Sequence, residues 1–401
     1  MEELLNSILD KMSSVKKPHK KAIAIILMTL AHFQGRANFR NLSRFCTLCE
    51  DTLGRWARRS FPYQELNSEL LMHNQDIDEE RVGSIDASYI PKSGKATEGL
   101  GYFYSGCESK VKRGLEMSLI SVIDMKANTG FGLLARQTQV QIDGEAPTWN
   151  RIDQALSQLN ECKDALDKLG VRDLVADAWY SKCKFVNGVV DAGFRAIGKL
   201  RQDAHLKYLY TGKQKPKGRR RRFDGRVTKT DFRRFKKIEM HDEDFDLYEK
   251  AVYSPSMKRV IKVVALRSRG ASKKVIALLF STHLEHTAID VLRKYRARFQ
   301  IEFVIRDAKQ HVGLTHSQAR SSAAIENHLN QSISALNLLK IEDQKQVSTK
   351  QPKVISIASW RRRKFNQHFA EIIFSMLDSS LKPEKIREVI DKVKNYGCIA
   401  A

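Results

Sequence analysis

The stretch His283–Gly313, HLEHTAIDVLRKYRARFQIEFVIRDAKQHVG, decides the fold. Apolar Ile289, Leu292, Phe299, Phe303 and Ile305 recur at helical spacing and Gly313 is a stop just past the end, so one long helix is predicted. Tyr295, Arg298, Glu302 and Lys309 stand at offsets 0, 3, 7 and 14 along it. At about 100° per residue they fall within roughly 60° of arc. One stripe therefore presents a phenol, a guanidinium, a carboxylate and an ammonium. A carboxylate between cations suits a place where a metal meets a phosphate. The plain alternative is a solvated face laced with i,i+4 ion pairs, and the stripe alone does not choose between them.

Upstream, the chain reads as alternating strands and helices. Arg81–Tyr89 is a strand in which Asp86 interrupts Val82, Ile85 and Ala87. Gly114–Asp124 is a second strand and Gly130–Gln139 a third, joined by the turn Ala127–Gly130. Thr148 caps a helix to about Leu169, and Gly170 ends it. Leu174-Val175-Ala176 is a short buried strand ended by Asp177, Ser181 caps a helix to about Asp191, and Phe194–Leu200 is a further strand. The order strand, strand, strand, helix, strand, helix, strand is that of an RNase H-like fold.

The spacing Tyr295-x2-Arg298-x3-Glu302-x6-Lys309 resembles the signature of DDE transposases of the insertion-sequence-four group, with all four residues matched at every interval. The resemblance covers residues 80–340. It implies an RNase H-like mixed-sheet α/β catalytic core in which Asp86, Asp177 and Glu302 meet and hold two Mg2+ ions, with Mn2+ as a substitute. It also assigns Arg298 and Lys309 to phosphates of the DNA end and Tyr295 to positioning the same strand. Taken singly, each aspartate could equally be a strand-end residue accepting backbone hydrogen bonds. Three converging acids with no fixed cation among them repel and call for divalent ions. Asp124, Asp173 and Glu326 are competing acids: Asp173 starts its strand and points from the wrong end, and Asp124 is read as structural.

Composition agrees with a polyanionic partner. The 401 residues hold 70 Lys and Arg against 46 Asp and Glu, a net charge of +24, with 42% hydrophobic residues for a substantial core. Of six cysteines only Cys46 and Cys49 form a C-x2-C pair, so zinc is not expected, and the scattered remainder fits reduced thiols in a cytosol. The apolar run Ala22–Ala31 behind four lysines mimics the start of a signal peptide but is too short to span a bilayer, which favours a buried helix.

Five regions follow. Residues 1–78 are helical. Helices at about Phe39–Cys46 and Cys49–Arg59 fit a helix-turn-helix DNA reader, with Arg55, Arg58 and Arg59 on the second, or an ordinary helical hairpin. Residues 79–200 are the first part of the core. Residues 201–282 are a basic, β-rich insertion: 201–240 alone carries 15 Lys or Arg, among them Arg219, Arg220, Arg221 and Arg222. These suit DNA contact, or a solvated linker. Residues 283–340 hold the catalytic helix, and 341–401 a helical C-terminal region with a second basic cluster, Trp360–Lys364. The expected protein is a transposase of the bacterial cytosol that cuts and pastes DNA at terminal inverted repeats, acting on target DNA as a homodimer in the DNA complex. The alternatives are a catalytically inactive DNA-binding descendant and a host RNase H-like nuclease.

Overall fold

The computed structural model describes residues 1–74, 80–106, 108–140, 149–228, 232–241, 243–269, 274–346, 356–376 and 383–394. Helices α1 (Glu2–Lys11), α2 (Lys17–His32), α3 (Phe39–Leu42), α4 (Glu50–Trp56) and α5 (Tyr63–Asn74) precede strand β1 (Arg81–Pro91). Then come β2 (Gly101–Ser105), β3 (Lys110–Asp124), β4 (Thr129–Gln137), α6 (Arg151–Glu161), α7 (Lys163–Lys168), β5 (Asp173–Ala176), α8 (Cys183–Asp191) and β6 (Arg195–Leu200). Six more strands follow: β7 (Lys207–Leu209), β8 (Phe223–Arg226), β9 (Lys236–Ile238), β10 (Phe245–Ser254), β11 (Arg259–Ser268) and β12 (Val275–Ser281). Helices α9 (Ala288–Ala297), α10 (Phe299–His311), α11 (Ser322–Gln346), α12 (Ile357–Met376) and α13 (Pro383–Val393) complete the chain.

β1 lies parallel to β5, and β5 parallel to β6. β3 runs antiparallel beside β1, and β4 antiparallel beside β3. The resulting order β4-β3-β1-β5-β6 is the mixed five-stranded sheet of an RNase H-like fold. All four residues of β5 are buried, as a central parallel strand covered on both faces requires. Beyond β6 the sheet does not stop: β12 pairs antiparallel with β6, and β11, β10, β7 and β8 follow in turn. The β-rich stretch after residue 200 thus extends the core sheet rather than standing apart from it.

β4 is an edge strand, and α11 covers it. Asn330 pairs with both the amide and the carbonyl of Ala135, and Asn337 does the same for Gly132, while Glu326 accepts from the Gln137 amide and pairs with Arg136. A carboxamide has one donor and one acceptor side, so a helix bearing Asn seven residues apart can substitute for a missing strand. Glu326 is therefore a structural acid. Leu329, Ile333, Leu336 and Leu339 of α11 are buried in the core, and each such side chain contributes about 1.5–3 kcal/mol.

Several expectations are revised. The stretch 283–313 is two helices: Thr287 and Asp290 form a capping box that starts α9, and the path breaks at Arg298. Ile289, Phe299 and Phe303 are exposed; the buried stripe runs through Val291, Leu292, Ile301, Val304 and Ala308. Thr148 lies outside the described residues, and Asn150 with Asp153 caps α6. α8 starts after Lys182, while the Ser181 hydroxyl donates to the Lys199 carbonyl. The Phe39–Cys46 helix shortens to the single turn of α3. The Trp360–Lys364 cluster turns largely inward: Trp360 and Arg363 are buried, Arg361 packs over Phe33, and Lys364 pairs with Glu342 at 2.8 Å. The apolar run in α2 is buried, and among the described residues no helix is long and apolar enough to cross a membrane.

Candidate active site

Asp86 sits midway along β1, opposite Leu119 of β3, on the strand at the centre of the core sheet. Asp177 follows β5, the parallel neighbour of β1, and its carboxylate accepts from the Trp179 amide at 2.9 Å, capping a 3-10 turn over Ala178–Tyr180. Glu302 lies in the first turn of α10. Topology thus directs three acids from three elements to one end of the sheet.

Arg298 joins them. At the break between α9 and α10, its guanidinium contacts Asp86 at 3.5 Å and Glu302 at 2.7 Å while stacking 4.9 Å from the Phe299 ring. It is 8% exposed, and its Nε has no partner among the described residues. Asp86 and Glu302 thus share one guanidinium. Asp86 feels its neighbours: burial, then the negative charges of Asp177 and Glu302, push its carboxyl up to about 6, against the pull of the Ala87 amide and Arg298. Tyr295 lies beside the same group. Its phenol is raised by burial and by Asp177 and Glu302, and Arg298 opposes the shift. Tyr180, a residue with no sequence signal, is buried within reach of the charges on Asp86 and Asp177.

Lys309 occupies a different place from the rest of the stripe. Two turns along α10, its ammonium donates to the Ser88 hydroxyl and the Tyr89 carbonyl, both at 2.8 Å. It ties α10 to β1 and so holds the register between Glu302 and Asp86. Arg219, Arg220, Arg221 and Arg222 are exposed. Arg221 pairs with Asp224 at 2.6 Å and stacks on Tyr210. Arg55, Arg58 and Arg59 are exposed on and just after α4, with Arg59 stacked on Trp56 at 4.5 Å. The ion pairs to Asp86 and Glu302 come from Arg298 rather than from either basic group.

Asp86, Asp177 and Glu302 form a hard-oxygen donor set suited to a divalent cation. Among the described residues no three His, Cys, Asp or Glu side chains are drawn together tightly enough to enclose a single ion. What stands there is an acid cluster with one arginine, Arg298, paired to two of its three members.

The Asp86 shift has a measurable consequence. The ordinary value for this side chain is 3.8, and the folded protein raises it to about 6. The proton is held more tightly in the folded state, so this group's stabilisation is complete below about pH 4 and disappears as pH rises to about 6. In chelator, Asp86→Asn should gain stability relative to wild type between pH 4 and pH 6 and hold a constant difference above. Urea midpoints at each pH test this, and a flat difference would contradict it.

Asp173 belongs elsewhere. It is buried at the start of β5, paired with Lys294 at 2.7 Å and facing His286 at 3.3 Å. The hydroxyl of Ser281 lies 2.8 Å from His286 Nδ1, which completes a Ser-His-Asp arrangement, but Ser281 is fully buried and the group is structural.

A family model described as "Transposase DDE domain" matches residues 125–338, just over half of the chain. The match contains Asp177, Tyr295, Arg298, Glu302 and Lys309 and begins after β1, so Asp86 is placed by the structure alone. Among solved structures, the chain is similar to the piggyBac transposase synaptic complex with hairpin DNA, at 11% identity and a TM-score of 0.41, over 98% of this chain and 81% of that one. It is also similar to Ciona intestinalis endonuclease V in complex with an inosine-containing DNA, at 14% identity and a TM-score of 0.26, over 71% of this chain and 97% of that one. No protein with a curated description matches.

Proposed function

The chain belongs to the transposase DDE-domain family, and from that premise we propose that it is an insertion-sequence-four-type transposase that cuts and pastes DNA at terminal inverted repeats. The family is one of DNA-cleaving enzymes that use divalent metal. The observation that carries the finer reading is the convergence of Asp86 and Glu302 on Arg298, with Asp177 close enough to shift Asp86. A catalytically inactive descendant has no physical need to keep three mutually repelling acids in one place.

We assign Asp86, Asp177 and Glu302 as ligands of two Mg2+ ions. Ions bound there would activate a water or a 3′-OH and stabilise the leaving oxygen during in-line attack on a phosphodiester. Arg298 has a second role, since a phosphate oxygen is as good a partner for its guanidinium as Glu302 is. Its exchange from carboxylate to phosphate would couple DNA arrival to release of Glu302. Tyr295 would orient the same strand. Lys309 keeps β1 and α10 aligned, so that two of the three acids stay at a fixed separation. The exposed basic groups Arg219–Arg222 and Arg55, Arg58 and Arg59 suit phosphates farther along the duplex.

The domain boundaries proposed are 1–78, 79–200, 201–282, 283–340 and 341–401, with two copies in the DNA complex and the bacterial cytosol as the place of action. A nicking assay on a duplex bearing the element's own terminal repeat tests the reading. Mg2+ should give cleavage at the repeat end, and EDTA should remove it. Cleavage that persists in EDTA, or none with any divalent ion, would overturn it.

A further inference from the structure

On the far side of Lys309, three distant segments close around a cleft of about 660 Å3. Its walls are Arg36, between α2 and α3; Lys92 and Lys95, in the loop leaving β1; and His316 with Arg320, in the loop leaving α10. Hydrogen bonds knit these walls together. Lys92 Nζ donates to the Ser317 carbonyl at 2.6 Å, the Ala37 amide to His316 Nδ1 at 3.1 Å, and the Glu98 amide to the Arg320 carbonyl at 2.9 Å. The cleft is thus a built feature of the fold, and it is lined by cations without a carboxylate. The adjoining acid, Glu98, turns its carboxylate to the Ser322 amide at 2.7 Å.

Like charges crowd here. Burial and then Arg320 lower the Lys92 ammonium, and burial and then Arg36 lower the His316 imidazole. Arg36, Lys95 and Arg320 are exposed. Repulsion among fixed cations in a concavity is relieved by a polyanion that spans them, and a row of phosphates has the right charge and extent.

The position gives the cleft a direction. Asp86 and Glu302 meet at Arg298, and Ser88 and Tyr89 meet Lys309, so β1 and α10 run the same way and their outgoing loops form the cleft. Lys92 lies six residues beyond Asp86, about 20 Å along an extended strand. At 3.4 Å per step of one DNA strand, that is about six base pairs.

We propose that this cleft binds the phosphodiester backbone of the DNA held in the active site, about half a helical turn from the scissile phosphate. The proposal rests on the transposase reading above. It adds Arg36, Lys92, Lys95 and Arg320 as backbone contacts that follow directly from the catalytic strand and helix.

The test uses the full chain and a fluorescent duplex carrying the element end, titrated by anisotropy across a salt series. Lys95→Gln with Arg320→Gln should lower the slope of log K against log salt by about 2, close to one for each phosphate that is no longer neutralised. Lys95→Gln alone, on an exposed loop, should lower it by about 1 and serves if the double variant fails to fold. A wild-type slope that is steep and unchanged in the variants would sink the cleft assignment and leave the transposase reading intact. Wild-type protein with no salt-dependent affinity for the duplex would sink both.

Discussion

Asp177→Asn is expected to bind an element-end duplex with wild-type affinity and to nick it at least roughly a thousandfold more slowly. The substitution is chosen for what it preserves. The Asp177 carboxylate has two tasks: it caps the turn at Ala178–Tyr180 by accepting from the Trp179 amide, and it faces the site shared with Asp86. Asn caps as well as Asp, so the first task survives. What disappears is one negative oxygen, the donor that the proposed metal site needs. Asp177→Ala removes the cap too, at a further cost of about 1 kcal/mol in stability. If the Asn variant nicks within tenfold of wild type, Asp177 is a capping residue and the catalytic set is wrongly drawn. Anisotropy for binding and a gel-based single-turnover assay separate the two outcomes.

Much of the core is legible in the chain because its signals are local. Asp86 interrupts an apolar strand, Asp177 ends one, and Gly170 takes a φ of 69° that stops a helix where a glycine is the natural residue. Those features place one aspartate on the first strand and the other at the tip of the fourth before any packing is known. Helical periodicity also brings Tyr295, Arg298 and Glu302 to one face, correctly enough to meet the aspartates. It cannot foresee the break at Arg298, because nothing at that residue resembles a cap, and Arg298 keeps helical backbone angles. Nor can a helical wheel supply a partner for Lys309. Sharing a face with Glu302 suggests phosphate, whereas Ser88 and Tyr89 on β1 hold the ammonium.

Other features are invisible to local reading in principle. β2 has one buried aromatic, Phe103, between exposed Tyr102 and Tyr104, too short an alternation to stand out. The pairing of Asn330 and Asn337 with the edge of β4 joins residues about 200 positions apart. The cationic cleft draws on residues 36, 92–95 and 316–320, none of which forms a charge run on its own. Conversely, the Trp360–Lys364 run reads only as a basic cluster and is largely packed inward, since Arg and Lys stems cover apolar surface as readily as they reach solvent.

Asp173→Ala should be the most destabilising single change near the site, by about 3–5 kcal/mol, without touching Asp86, Asp177 or Glu302. Asp173 accepts from Lys294 of α9, and both side chains are almost wholly buried. Removing the carboxylate leaves an ammonium in the interior with the half-exposed Glu80, 3.2 Å away, to balance it. His286 adds little to this, because burial lowers its imidazole and favours the neutral form. The pair also locates the helix on which Tyr295 and Arg298 depend, because buried Lys294 fixes α9 to β5. Urea denaturation of Asp173→Ala, Lys294→Met and the double variant measures this. The double variant should recover part of the loss of Asp173→Ala, since it no longer buries an unpaired charge. Strictly additive losses, or a loss below about 1 kcal/mol for Asp173→Ala, would mean that the pair contributes little and that α9 is held by its apolar stripe at Val291 and Leu292 instead.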